Sequence, residues 1–245
     1  MPIRMEGTIR RVVITGASRG IGYAVTQKFK SLGYEVIALS SGRSVQINEK
    51  LSDGLNFFDF NHVEDIERCA NYLLELKPDI LINNAGMNIN NDFLDISNET
   101  FNAIQRVNVF APFRLCQASL PAMKERGWGR IVNISSIWGK ISMSGRAAYS
   151  ASKFALDGMT VALSAEYAKY GVMANCVAPG FTATDLTRET LGIEMMEHIS
   201  SQFIPLKRLA TPNEVANFIV WLCSEDNSYI SGQNLAIDGG VSRVR

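Results

Sequence analysis

The sequence predicts a doubly wound α/β domain, a mostly parallel sheet of seven strands with helices on both faces. Three observations lead there. Short β-branched or apolar runs alternate with amphipathic stretches along the 245 residues, the βαβα order of a parallel sheet. The runs are apolar throughout rather than at every second position, as strands covered on both faces require. No low-complexity linker, repeat or charge block divides the chain, so residues 1–245 read as one domain.

In order, the strands are predicted at Val12 to Thr15, Glu35 to Leu39, Leu55 to Phe58, Asp79 to Ile82, Arg130 to Ser135, Val172 to Val177 and Asn234 to Ile237. The first is followed by an amphipathic helix from Ile21 to Leu32. A later helix carries Tyr149 and Lys153. A further amphipathic stretch, Thr187 to Phe203, bears Met195, Met196, Ile199 and Phe203.

Composition narrows the function. Lys plus Arg equals Asp plus Glu at 24 each, so no net field recruits nucleic acid or an anionic membrane. The expected partner is a small molecule. Cys69, Cys116, Cys176 and Cys223 are scattered without a C-x-x-C pair, and His62 and His198 are isolated, so neither a disulfide framework nor a metal site is signalled. No apolar run reaches the ~18 residues of a membrane span. The stretch Met1 to Glu6 lacks the apolar core of a signal peptide. A cytoplasmic setting is expected.

The first strand runs into Thr15-Gly16-Ala17-Ser18-Arg19-Gly20-Ile21-Gly22. Glycines there permit a tight turn and close backbone approach, and the following helix offers free N–H groups to a pyrophosphate. The G-x-x-x-G-x-G spacing is neither G-x-G-x-x-G nor a P-loop. Read alone, it is a nucleotide-binding turn or only a connection. Dinucleotide folds that bind NAD carry an acidic residue after the second strand. Here that place reads Leu39-Ser40-Ser41-Gly42-Arg43, without a carboxylate. Arg19 and Arg43 suit a 2′-phosphate instead, which favours NADP(H) over NAD(H).

Tyr149 and Lys153 lie four residues apart, on one helix face, with Ser136 thirteen residues before the tyrosine. A free phenol titrates near pH ~10, so acting near neutrality needs roughly 4 kcal/mol of preferential phenolate stabilisation. A lysine ammonium, with a second positive group nearby, is a source.

The glycine turn and this Tyr/Lys/Ser set together resemble the short-chain dehydrogenase/reductase family, and the resemblance spans nearly the whole chain. Asn83-Asn84-Ala85-Gly86 is similar to the family's N-N-A-G turn. Asp59, with Phe60 beside it, matches the family's adenine-contacting position, and Asn108 its catalytic asparagine. Ser136 takes the catalytic serine position. Pro179-Gly180, with Thr182 and Thr184, matches the segment that holds the nicotinamide carboxamide. Arg208, Pro212 to Ala216 and Ser231 to Gly240 also fit. Ala210 stands where glycine is common and Ser231 where threonine is common. The Ser40-Ser41-Gly42 stretch is less basic than in many NADP-dependent members.

The resemblance implies a Rossmann fold and an NADP(H)-dependent oxidoreductase that interconverts a ketone and a secondary alcohol by hydride transfer. Tyr149 is then the proton donor. Lys153 lowers its pKa and holds the nicotinamide ribose, Ser136 binds the carbonyl oxygen, and Asn108 kinks its helix and holds a water linking Lys153 to solvent. The cofactor set is Gly16, Ser18, Arg19, Gly20, Ile21, Gly22, Ser41, Arg43, Asp59, Phe60, Asn84, Ala85, Gly86, Tyr149, Lys153, Pro179, Gly180, Thr182 and Thr184. Substrate is bordered by Met87, Asn88, Ser136, Trp138 and Phe181, with a lid around 187–206. A 3-oxoacyl thioester on an acyl-carrier protein is one substrate it admits. An oxidising dehydrogenase of a sugar, polyol or other secondary alcohol is the alternative, and a non-catalytic NADP-binding regulator a remote one. A homotetramer, or a dimer, is implied, with Ala147, Ala151, Ala155, Leu156, Met159 and Ala162 facing a partner helix or the sheet.

Overall fold

The computed structural model describes residues 9–42 and 55–243. In them β1 (Arg11–Thr15), β2 (Glu35–Ser40), β3 (Leu55–Phe57), β4 (Ile80–Asn83), β5 (Gly129–Ile134), β6 (Val172–Pro179) and β7 (Asn234–Ile237) form one sheet in the order β3-β2-β1-β4-β5-β6-β7. Every adjacent pair is parallel. The intervening helices are α1 (Gly20–Ser31), α2 (Val63–Leu76), α3 (Asn98–Gln105), α4 (Ala111–Arg126), α5 (Ala147–Tyr167), α6 (Asp185–Gln202) and α7 (Pro212–Leu222).

Successive strand residues point to opposite faces, which explains why the runs are apolar throughout. Val12 and Ile14 pack with Val25 and Phe29 of α1 and Val215 and Ile219 of α7. Val13, Leu81 and Ile131 pack on the other face with Ile66 and Leu73 of α2 and Leu115 and Met123 of α4. The chain builds outward from β1 through β2 to β3, then returns to place β4 on the other side of β1. That reversal opens a crevice at the carboxyl ends of β1 and β4, where open α/β sheets bind ligands.

Local signals fix the ends. Thr211 and Glu214 form a reciprocal capping box at the start of α7, with Pro212 in its first turn. Gly192, at φ 72° and ψ 166°, breaks α6 into two segments. The strand predicted from Asp79 starts at Ile80, and the Asp79 carboxylate just before it accepts from the Arg11 backbone N–H (2.7 Å) and pairs with Arg126 (3.0 Å). β6 continues two residues past the predicted Val177, to Pro179. Between α3 and α4 the helix widens into a π-helical turn, Arg106–Phe110. Among the described residues no helix is long and apolar enough to cross a membrane.

Candidate active site

The crevice is a cleft of about 770 Å³ running over the carboxyl ends of β1, β4, β5 and β6. Its floor is a lock between two turns. The Thr15 hydroxyl accepts the backbone N–H groups of Asn84 and Ala85, each at 2.9 Å. The Asn84 amide donates to the carbonyls of Thr15 (3.0 Å) and Gly16 (2.9 Å). Gly16 sits at φ 63°, and a Cβ on Gly22 would lie 2.1 Å from the Gly16 oxygen and 2.5 Å from the Asn84 amide nitrogen. No side chain fits between α1 and this turn, which leaves backbone exposed to a ligand above it.

At one end the cleft is lined by Ser18, Arg19, Gly20, Ile21, Ser41, Asp59 and Phe60. The Asp59 carboxylate accepts from the backbone and side-chain N–H groups of Asn61 (3.1 and 3.0 Å). Asn84, Ala85 and Gly86 line the middle. Met87, Asn88, Ser136, Tyr149, Lys153, Pro179, Thr182 and Thr184 line the far end. Gly22 lies beneath the turn and Gly180 is packed on Asp238, so both shape the cleft without lining it. Arg43 lies outside the described residues.

Tyr149 and Lys153 project from the first turns of α5, as their spacing predicts. Lys153 is buried; its ammonium donates to the Ile134 carbonyl at 2.8 Å and stands 5.5 Å from the Tyr149 ring centroid. Burial brings that ammonium down to about 8. Burial pushes the Tyr149 phenol up, opposed by a hydrogen bond to Ser136 and by the positive charge of Arg146. From the sequence, the Lys153 ammonium is expected to depress the phenol. In this structure desolvation outweighs the favourable partners, and the Arg146 charge is one of them, while the Lys153 ammonium stands over the Tyr149 ring.

Ser136 lies two residues past β5 in extended backbone, and its oxygen accepts the Trp138 N–H at 3.2 Å, capping a short 3-10 turn. Asn108 is fully buried in the π-helical turn. Its oxygen accepts the Met87 N–H (2.7 Å), and its amide donates to the Met87 carbonyl and the Ser152 hydroxyl, both at 2.9 Å. Ser152 in turn donates to the Tyr149 carbonyl. Asn108, placed in a widened turn, thus ties the Met87 loop to α5. Trp138 and Phe181 meet edge to face at 6.2 Å, outside the main cleft.

Three participants escaped the sequence reading: Thr15, Ser152 and Arg146. Thr15 was legible as the residue entering the glycine turn, and Ser152 and Arg146 only as helical neighbours of Tyr149 and Lys153. No group of three or more His, Cys, Asp or Glu able to hold a metal occurs among the described residues.

Residues 16–242 match a family model described as enoyl-(acyl carrier protein) reductase. The 3-oxoacyl-[acyl-carrier-protein] reductase of Aquifex aeolicus is 36% identical over 251 aligned positions, covering 98% of this chain and all of that one. The chain belongs to the short-chain dehydrogenase/reductase family. Among solved structures, a Beutenbergia cavernae protein assigned as an NAD(P)-dependent gluconate 5-dehydrogenase, with NADP bound at low occupancy, superposes at a TM-score of 0.89. It shares 33% identity, with 98% of each chain covered. A 4-hydroxyisoleucine dehydrogenase complexed with NADH also reaches 0.89, at 32% identity over 96% of this chain and all of that one. As a short-chain dehydrogenase/reductase the protein is an NAD(P)-dependent oxidoreductase acting on CH–OH and carbonyl groups. Its backbone-walled cleft fits a dinucleotide, because the close Gly16–Gly22 contact removes the side chains that would fill the pyrophosphate position.

Proposed function

We propose that the protein reduces a ketone to a secondary alcohol with NADPH, using Tyr149 as the proton donor. The observation that carries this reading is the convergence of Tyr149, Ser136 and Lys153 at the far end of the dinucleotide cleft. When bound, the nicotinamide supplies a hydride to the carbonyl carbon. Tyr149 gives its hydroxyl proton to the carbonyl oxygen, and the Ser136 hydroxyl donates a second hydrogen bond to that oxygen. Lys153 holds the nicotinamide ribose, and its ammonium stabilises the phenolate left behind. Asn108 fixes the Met87 loop against α5. A phenol kept protonated by burial is in the form that reduction needs.

Arg19 at the adenosine end of the cleft, and hydroxyls rather than carboxylates at Ser40 and Ser41, support NADPH over NADH. A 3-oxoacyl thioester is the substrate suggested by the Aquifex relative. An oxidising dehydrogenase of a hydroxylated acid or sugar is the second reading, favoured by the gluconate and 4-hydroxyisoleucine dehydrogenases among the structural neighbours. A homotetramer is supported by exposed Phe113, Phe154 and Val161 on α4 and α5, whereas Leu156 packs inward. Light scattering that finds a stable monomer would remove this assembly.

Tyr149→Phe keeps the ring and removes the proton. The expected result is a loss of about 10²-fold or more in kcat with NADPH affinity retained, since general acid catalysis contributes ~10²–10⁴. Near-native turnover in that variant overturns the assignment, and tighter binding of NADH than NADPH overturns the cofactor choice.

A further inference from the structure

Arg146 immediately precedes α5, three residues before Tyr149, and its guanidinium carbon stands 5.5 Å over the Trp138 ring. Trp138 lies two residues past Ser136 and leans edge-on against Phe181, so the cation and the aromatic pair stand just outside the cleft, on the side where Tyr149 and Ser136 line it. The adjoining Gly145 carbonyl accepts the Asn91 N–H at 3.3 Å, which brings the Arg146 turn against the loop that carries Met87 and Asn88. The side chain is half-buried. Its guanidinium makes no hydrogen bond or ion pair among the described residues, and α5 has no acidic residue in its first turn.

That placement runs against ordinary electrostatics. A cation at a helix N-terminus faces the positive end of the peptide dipoles, and partial burial of an unpaired guanidinium adds a desolvation cost. The neighbouring ring offsets only part of this. An anion arriving with the substrate would satisfy a planar, five-donor group that has no hydrogen-bond partner among the described residues.

We propose that Arg146 forms a carboxylate-binding subsite, and that the substrate is an oxo acid or hydroxy acid whose free carboxylate pairs with Arg146 while its carbonyl or hydroxyl meets Tyr149. One guanidinium neutralises one carboxylate, whereas a phosphate dianion would leave charge uncompensated against the Trp138 and Phe181 rings. An acyl thioester presents no such anion beside its carbonyl. Assigning the subsite to substrate rests on the Tyr149 reading above; the carboxylate preference is measured separately.

Calorimetry with hexanoate, hexanamide and hexyl phosphate, titrated into the protein saturated with NADP+, measures that preference. Hexanoate is expected to bind about ten- to a hundredfold more tightly than hexanamide, the range of a charge-assisted hydrogen bond. Arg146→Gln should abolish the difference and Arg146→Lys retain part of it. Equal affinities in the native protein, a preference that survives Arg146→Gln, or tighter binding of hexyl phosphate than hexanoate each overturn the proposal. Turnover of oxohexanoates against their methyl esters then separates the two readings. Acids and esters reduced equally well sink the subsite but leave the reductase. Carboxylate selectivity without any carbonyl or alcohol turnover keeps the subsite and sinks the reductase.

Discussion

Between Thr15 and Ala85 the cleft is walled by backbone held in reciprocal hydrogen bonds, whereas outside its far end Trp138, Phe181 and Arg146 are held by side-chain ring and cation contacts. The first construction has a single solution, because a carbonyl 2.1 Å from a hypothetical Cβ excludes every residue but glycine. The second tolerates exchange of one ring or charge for another. The first region is fixed in composition, and the second is free to change its side chains.

Breaking the backbone end should have the largest effect. Gly22→Ala forces α1 away from the turn, and overpacking of this kind costs about 1–3 kcal/mol or more; both melting temperature and NADPH affinity should fall. A variant with native affinity would show that the two turns separate freely. Asn84→Ala leaves two carbonyls without their shared donor and is expected to cost about 1–3 kcal/mol by denaturant unfolding. Trp138→Ala tests the other end: kcat/KM for the preferred substrate should drop about tenfold, within the range of one lost aromatic contact, while NADPH affinity and melting temperature stay near native. Coupled losses in all three would erase the contrast between the ends.

The smallest expected effect is a pH dependence at the junction. Burial holds Lys153 at about 8 against an ordinary 10.5, so between those values the unfolded chain binds the proton that the folded one has released. Stability from this residue is therefore lowest below pH 8, where the charge must be buried, and rises as pH climbs toward 10.5, by about 1.4 kcal/mol per pH unit at most. The buried thiols of Cys69, Cys116 and Cys223, pushed up to about 12, act oppositely above pH 9. The measurement is thus the native-minus-Lys153→Met difference in unfolding free energy, which should become more favourable between pH 8 and 10.

The asymmetry also explains what could be read from the sequence. Strand order, the glycine turn and the Tyr149/Lys153 pair are encoded by local spacing, and the sheet then brings Asn84 to Thr15 without further specification. The state of the phenol was not legible. Its pKa depends on how much water reaches it and on a guanidinium whose position is set by the Trp138 turn, two facts that exist only after β5 and α5 have packed. Asn108 was recognisable as a residue, but its hydrogen bonds to Met87 and Ser152 span 21 and 44 positions of chain.

The widened turn at Arg106–Phe110 has a consequence for how the molecule tolerates length changes. Deleting one residue there would restore an ordinary α-helix and rotate whatever precedes it by about 100° relative to whatever follows. Either Asn108 swings away from Met87, or Leu115 and Met123 leave the sheet. The surplus residue acts as a phase shifter, letting one continuous rod satisfy two angular demands that a regular helix cannot meet together.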